Sequence, residues 1–145
     1  MTKRVLAFIG LIALMVLMTG VLTAAAPLPV TTITLVQGLP TVMNVGETRI
    51  VELRVESDQE FIFAQALPAA YFPGRGVVAG QGDHVGQSTE ATLLIAFTAK
   101  SSTANFPGTP TSPDGGVAPV SVTVGVRYAG GYVAVQRYDF TVQVP

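Results

Sequence analysis

Apolar and polar residues alternate along most of this chain once the first 26 residues are passed. Thr31 to Gln37, Thr48 to Ser57 and Val120 to Tyr128 carry Val, Ile or Leu at every second position, with mostly polar residues between them. Successive side chains of a strand point to opposite faces, so this pattern predicts strands with one buried and one solvated face. Phe61 to Leu67 and Glu90 to Ala99 predict two further, more apolar strands.

The last predicted strand, Tyr132 to Val144, changes phase along its length. Val133 and Val135 occupy odd positions, whereas the large apolar residues after them occupy even positions. One extra residue in a strand, a β-bulge, moves the following side chains to the other face. We therefore predict a bulge near Gln136 and Arg137.

Turn residues separate the predicted strands, and no long window after residue 26 shows helical periodicity. Ala129-Gly130-Gly131 predicts a tight hairpin between the last two strands. Short strands divided by Pro and Gly favour a sandwich of two packed sheets. We predict an all-β antiparallel sandwich of about seven strands that forms a single domain over residues 27–145.

The first 26 residues have the composition of an export signal. Lys3 and Arg4 precede an uncharged apolar stretch from Val5 to Leu22, and small residues follow it. Cleavage after Ala25 or Ala26 would release the domain. Retention would leave an apolar helix of about 20 residues, long enough to span a bilayer. We expect an extracytoplasmic protein, secreted or at the cell surface, that touches the membrane only through residues 5–26 and only if they are uncleaved.

Charge and composition exclude several kinds of function. The leader carries two of the eight Lys and Arg residues and none of the nine acids, so the remaining chain has six cations and a net charge of −3. Nucleic-acid binding needs clustered cations to replace phosphate counterions, and scattered ones do not supply it. The absence of Cys excludes thiol catalysis, thiolate metal sites and lipid attachment through Cys.

Two stretches together resemble bacterial immunoglobulin-like domains. The first is Asn44-Val45-Gly46-Glu47-Thr48 before an alternating strand; the second is the final strand-hairpin-strand that closes on Phe140-Thr141-Val142-Gln143-Val144. The resemblance extends over roughly Val30 to Pro145. It implies an immunoglobulin-like β-sandwich in an exported or cell-surface protein, with adhesion, spacing or ligand display as usual tasks. The Cys and Trp residues of antibody-type cores are missing, and the resemblance implies no particular catalytic or binding residue.

The chain lacks the residues that common catalytic sites need. His84 is its single histidine and follows Asp83 in a glycine-rich stretch. Neighbouring residues of an extended chain point to opposite faces, and no second histidine completes a zinc site. A Gly-x-Ser-x-Gly turn is absent too. We predict no enzyme activity and no cofactor, and we interpret residues 80–86 as a solvated turn between strands.

One acidic group offers oxygen ligands for calcium. Glu56, Asp58 and Glu60 lie at alternate positions, so an extended chain would direct all three to one side. The alternative is that Ser57-Asp58-Gln59 forms a solvated turn between the second and third strands.

Two predicted loops carry aromatic residues. Tyr71 and Phe72 lie beside Arg75 in the loop from Pro68 to Gly76, where they would either bind a sugar or peptide or cover an open end of the core. Phe106 lies in a loop from residue 100 to residue 119 that is rich in Ser, Thr, Pro and Gly. Loops this long are usually functional or disordered, and a disordered loop of this composition suits O-glycosylation.

The function predicted from these features is that of an exported, non-catalytic structural or interaction module for cell-surface display, adhesion or assembly. Its partner would be a protein or a surface polymer, and Leu28 to Gln37 could pair with a sheet edge of a second copy to form homo-oligomers. The alternatives are a glycan- or cell-wall-binding module that uses the loop aromatics, and a calcium-dependent adhesion domain.

Overall fold

A computed structural model describes residues 25–80 and 82–145, and within them the chain forms antiparallel strands and no helix. In chain order the strands are β1 (Thr31–Gln37), β2 (Thr48–Ala70), β3 (Val77–Ala79), β4 (Gly82–Ala99), β5 (Ala118–Tyr128) and β6 (Val133–Val142). The all-β antiparallel prediction is confirmed, with six strands in place of about seven. Apart from Ala25 and Ala26, the leader lies outside the described residues. Within those residues there is no helix of a length and apolarity that would cross a membrane.

The long strand β2 organises the sheet, whose strand order is β3-β4-β2-β5-β6. The first part of β2 pairs with β1 on one side and β4 on the other, so Val55 lies between Ile33 and Ala91. The second part pairs with β4 and β5, so Ala64 has Val126 as one neighbour. One edge of β2 therefore changes its partner along its length, from β1 to β5.

The turn predicted at Ser57-Asp58-Gln59 is wrong, because these residues continue β2. The registers shift between Glu56 and Phe61, where β2 exchanges partners. The polar groups are satisfied there without a turn: the Val30 N–H donates to Asp58 Oδ1 at 2.8 Å, and the Asp58 N–H donates to the Val30 carbonyl at 3.2 Å. A polar stretch at a sheet irregularity has the same composition as a turn, which explains the error.

The core follows the predicted alternation in most strands. Every even-numbered residue of β5 from 118 to 128 is buried, and so are Val51, Leu53 and Val55 of β2. The odd residues of β4 from 91 to 99 complete the same cluster. Full burial of a Val, Leu, Ile or Phe side chain stabilises a fold by about 1.5–3 kcal/mol, so this one core accounts for why the strands stay together.

The bulge predicted near Gln136 and Arg137 is wrong. Strand β6 pairs with β5 in one unbroken register, from Ala118 opposite Val142 to Arg127 opposite Val133. Ala134, Tyr138 and Phe140 pack against the core and Val142 is buried, whereas the odd-numbered valines are exposed. The apparent change of phase in the sequence therefore reflects apolar residues on the solvated face.

Tyrosine hydroxyls join β1 to the other end of the strand order. The Tyr128 hydroxyl on β5 donates to Ser57 Oγ at 2.7 Å and lies 2.5 Å from Thr31 Oγ1. The Tyr138 hydroxyl on β6 donates to the Ile33 carbonyl at 2.7 Å, and burial raises the pKa of this phenol. β1 and β5 follow one another along the same edge of β2, so the Tyr128 bonds join them where β2 exchanges partners, and the Tyr138 bond adds a contact between β1 and β6, which the sheet ladder does not pair.

The turn before β2, at residues 44–47, is closed by hydrogen bonds between its first and last residues. The Asn44 N–H donates to Glu47 Oε2 at 2.8 Å, the Glu47 N–H donates to the Asn44 carbonyl at 2.9 Å, and Gly46 has a φ of 86°. The backbone donor of Asn44, followed by the Arg49 guanidinium, lowers the pKa of the Glu47 carboxyl. Just before this turn, Val42 forms an isolated parallel bridge with Gln143.

Candidate functional site

The four predicted ligand-binding residues lie together at one end of the sheet, where the two phenylalanines are packed inward and Tyr71 and Arg75 are exposed. The Phe72 and Phe106 ring centroids are 4.5 Å apart, and the Arg75 guanidinium lies 5.1 Å from the Phe106 centroid. Phe106 is buried and Phe72 is half-buried against the core. These two rings match the alternative in which loop aromatics cover the core.

Tyr71 differs from the two phenylalanines because 56% of it is exposed. Its ring contacts Phe72 edge-on, with centroids 5.1 Å apart, and its backbone N–H donates to the Pro119 carbonyl at 3.1 Å. The strand end and the aromatic stack therefore hold this ring in place while one side faces solvent.

The segment between β4 and β5 is folded back onto the core through Thr103. The Thr103 hydroxyl donates to the Gly116 carbonyl at 2.8 Å and accepts the Val144 N–H at 2.9 Å. Thr103 is fully buried, and its own N–H donates to the Val144 carbonyl. These contacts contradict the expectation of a disordered loop.

The far end of the same loop is a compact turn. Thr109 and Ser112 exchange backbone hydrogen bonds of 2.9 and 3.1 Å, and the Ser112 N–H also donates to Thr109 Oγ1. Pro110 and Thr111 form the exposed tip of this turn. The tip stands opposite Tyr71 across a groove.

The groove has a volume of about 400 Å³ and is built from residues distant in sequence. Tyr71 and the Pro110–Thr111 tip line it together with small residues at the end of β2 and polar residues of β5 and β6. The residues that the loop prediction missed are Pro110, Thr111, Ser121, Arg137, Asp139 and Thr141.

Strand register determines which polar side chains share the groove. Ser121 of β5 lies opposite Ala69 of β2 and opposite Asp139 of β6. Asp139 forms an ion pair with Arg137, two residues earlier on the same face, with 2.8 Å between Oδ1 and a guanidinium nitrogen. The alternation along β5 and β6 indicates that these residues lie on the face away from the core, where Ser121 is only 6% exposed. The sequence contains no signal for the loop tip above them.

A partly apolar surface continues from the groove along the solvated side of β2, β5 and β6. Leu67 is 42% exposed, Val133 is 49% exposed and Val135 is 63% exposed. Between β2 and β6 lies Gly125, directly opposite Val135, and nothing lies within 4 Å of where its Cβ would be. We call the groove and these four residues the outer face.

The acidic residues predicted to bind calcium do not form a metal cluster. No group of three or more His, Cys, Asp or Glu in the described part of the chain is placed to hold a metal ion. Glu56 pairs instead with Arg54 at 3.0 Å, and Asp58 accepts the Val30 N–H. Glu60 is exposed beyond them on β2.

The turn predicted around His84 is wrong, because Asp83 and His84 lie in β4. His84 pairs with Ala64 of β2, and its ring contacts the Phe61 ring edge-on at 5.8 Å. Its Nε2 is buried and has no hydrogen-bond partner among the described residues. Asp83 is exposed on the neighbouring position, so the pair is not brought together as an acid-base site.

The segment predicted to pair with a second copy is partly used within the chain. Residues Thr31–Gln37 form β1 and pair with β2 of the same molecule. Leu28 and Val30, which precede β1, remain exposed.

Comparison with known proteins identifies no family model and no curated sequence that matches this chain.

Proposed function

We propose that the protein is an exported, non-catalytic interaction module with an immunoglobulin-like two-sheet sandwich fold, and that it binds its partner through the outer face. The first part of β2 with β1, β3 and the end of β4 would be one sheet, and the second part with the start of β4, β5 and β6 would be the other. The segment that runs from β1 to Val42 supports this division. Its β1 part pairs with β2 in the first sheet, and Val42 then forms a bridge with Gln143, next to the end of β6 in the second sheet.

The observation that carries the functional proposal is the outer face itself. Leu67, Val133 and Val135 expose aliphatic side chains on one sheet surface, beside a groove with an exposed aromatic wall. Exposed apolar patches rimmed by polar residues are commonly sites of interaction. Valines at exposed odd positions of β6 do not stabilise the core, so a contact with another macromolecule gives them a role.

The leader and the residue inventory support the rest of the proposal. Residues 1–26 have the order of a basic, apolar and small-residue export signal, which supports a location at the cell surface or in the surrounding medium. The single histidine, His84, is packed against Phe61 and away from Asp139 and Arg137 of the groove. Binding to a protein or a surface polymer therefore suits this chain better than acid-base chemistry.

The proposal is tested by adding purified residues 27–145 to envelopes of the producing cells and measuring the fraction retained. Val135→Lys places a charge in the outer face, and Val36→Lys is the matched control on β1, where Val36 is 55% exposed. Both variants should keep the free energy of unfolding within about 0.5 kcal/mol of the wild type, as surface changes usually do.

We expect Val135→Lys to lose retention by about tenfold or more, which corresponds to about 1.4 kcal/mol of binding, and Val36→Lys to be retained like the wild type. Equal retention of both variants, or no retention of the wild type, would overturn the proposal.

A further inference from the structure

The groove at the end of the outer face is electrically neutral. Among the described residues that line it, the charged side chains are Arg137 and Asp139, and they neutralise each other at 2.8 Å. An anionic ligand would compete with Asp139 for the Arg137 guanidinium, and a cationic ligand would compete with Arg137 for the Asp139 carboxylate. The charge pattern therefore favours an uncharged ligand that offers both hydrogen-bond donors and acceptors.

The floor of the groove is the face of the sheet and not its edge. Ser121 lies in register between Ala69 and Asp139, so its backbone groups belong to the sheet ladder, and the unpaired backbone groups of the edge strand β6 lie beside this floor. A peptide that adds to a sheet needs unpaired backbone donors and acceptors at an edge. Here the polar partners are side chains instead: the hydroxyls of Ser121 and Thr141 and the Arg137–Asp139 pair.

One wall of the groove is an aromatic ring held by its neighbours. Tyr71 rests edge-on against Phe72, which rests against the buried Phe106, and the Tyr71 N–H is bound to Pro119. The ring therefore loses little freedom when a ligand lies on it, which reduces the entropic cost of binding. A ring face suits a ligand with a flat C–H surface.

On these grounds we infer that the groove binds a neutral oligosaccharide, which lies on the Tyr71 ring and hydrogen-bonds through its hydroxyls to Ser121, Arg137 and Asp139. Sugar hydroxyls both donate and accept, as the paired guanidinium and carboxylate require. The groove volume of about 400 Å³ lies within the usual range for small-ligand sites. This inference rests on the proposed function and names the ligand class for one part of the outer face.

The test is an NMR titration of ¹⁵N-labelled protein with three uncharged probes: maltohexaose, cellohexaose and N-acetyl-chitohexaose. Trigalacturonate serves as the anionic comparison and a decaproline peptide as the peptide comparison. We expect at least one neutral probe to shift the amides of residues 69–71, 111, 121 and 139–141 in a saturable way. The Tyr71→Leu variant should weaken that binding by about tenfold or more, whereas Tyr71→Phe, which keeps the ring, should bind nearly as well as the wild type.

Two further variants separate the site from general effects. Asp139→Asn should also weaken binding, because it removes the charge that orients Arg137. Tyr132→Ala removes an exposed aromatic at the β5–β6 hairpin, outside the groove, and should leave binding unchanged. Melting temperatures of all variants show whether the fold is intact.

The inference is overturned if none of the three neutral probes shifts the groove amides up to about 10 mM, which would set any Kd above the millimolar range. It is also overturned if trigalacturonate or the peptide shifts them instead. If envelope retention still depends on Val135 in either case, the proposed function stands and only the carbohydrate assignment fails.

Discussion

Gly76→Ala tests whether the packing of Phe106 supports the end of the sheet. Gly76 is buried with a φ of 66°, and a Cβ added there would lie 2.9 Å from Phe106 Cε2 and 3.2 Å from the Ala118 Cβ. Its backbone cannot move away easily, since the Gly76 N–H donates to Ser101 Oγ and the Gly76 carbonyl accepts the Lys100 N–H.

Gly74→Ala is a matched control for the backbone effect. Gly74 has a similar φ of 74° but nothing lies within 4 Å of where its Cβ would be. A left-handed conformation costs a non-glycine residue about 1–2 kcal/mol, and this cost is common to both variants. Displacing a packed ring adds about 1–3 kcal/mol, and only Gly76→Ala bears it.

The free energy of unfolding of Gly76→Ala, measured in urea, should therefore be about 1–3 kcal/mol lower than that of Gly74→Ala. For a domain of this size, the melting temperature should be lower by roughly 4–12 °C. Equal losses for the two variants would show that Phe106 is not packed against Gly76, and the proposed support of Tyr71 through Phe72 and Phe106 would then be refuted.

Three other substitutions test separate parts of the structure. Thr103→Val leaves the Val144 N–H and the Gly116 carbonyl without their partner and should cost about 2–4 kcal/mol of unfolding free energy in urea; Thr103→Ser, which keeps the hydroxyl, should cost less. Tyr128→Phe removes the hydroxyl that joins β1 to β5 and should cost about 1–2 kcal/mol in the same assay. The contacts that lower the pKa of Glu47 stabilise the folded state fully at a pH well above 4.5, the ordinary pKa of this carboxyl. That stabilisation is lost as the pH falls below 4.5 and through the lowered pKa. Glu47→Gln should accordingly show a shallower loss of stability on acidification, and an unchanged pH profile would contradict the turn contacts.

Strand patterning was predictable where one face of a strand is buried and the other is polar. Thr31–Gln37 matches the predicted first strand, and the alternation of Val120 to Tyr128 falls within β5. The hairpin at residues 129–131 is also confirmed, with the Gly131 N–H donating to the Tyr128 carbonyl. In these places local periodicity and turn residues are enough to predict the strands and the turn.

The errors arose where tertiary contacts decide the outcome. Ser57 and Asp58 have turn composition, yet pairing with β1 and the Tyr128 hydroxyl keeps them in β2. Val133 and Val135 look like core residues but lie on the solvated face. A sequence shows that a residue is apolar; it does not show whether its partner is the core of its own chain or another molecule.

The candidate site was predictable only in part for a related reason. Tyr71 was identified by its aromatic ring in a loop, but the groove around it also needs Pro110, Ser121 and Asp139. These residues come from a loop and two strands that meet only once β5 and β6 have paired and the loop has folded back. The alternation along β5 and β6 is the sequence signal that points toward Ser121 and Asp139.

The central claim is that the outer face contacts a partner at the cell surface. A photoreactive benzophenone amino acid at position 135, introduced into the full chain in its producing cells, inserts on illumination into C–H bonds of whatever lies against it, whether protein or polysaccharide. We predict a covalent adduct of higher mass from position 135 and none from position 36 on β1. The absence of an adduct at position 135, or equal yields at the two positions, would contradict the claim.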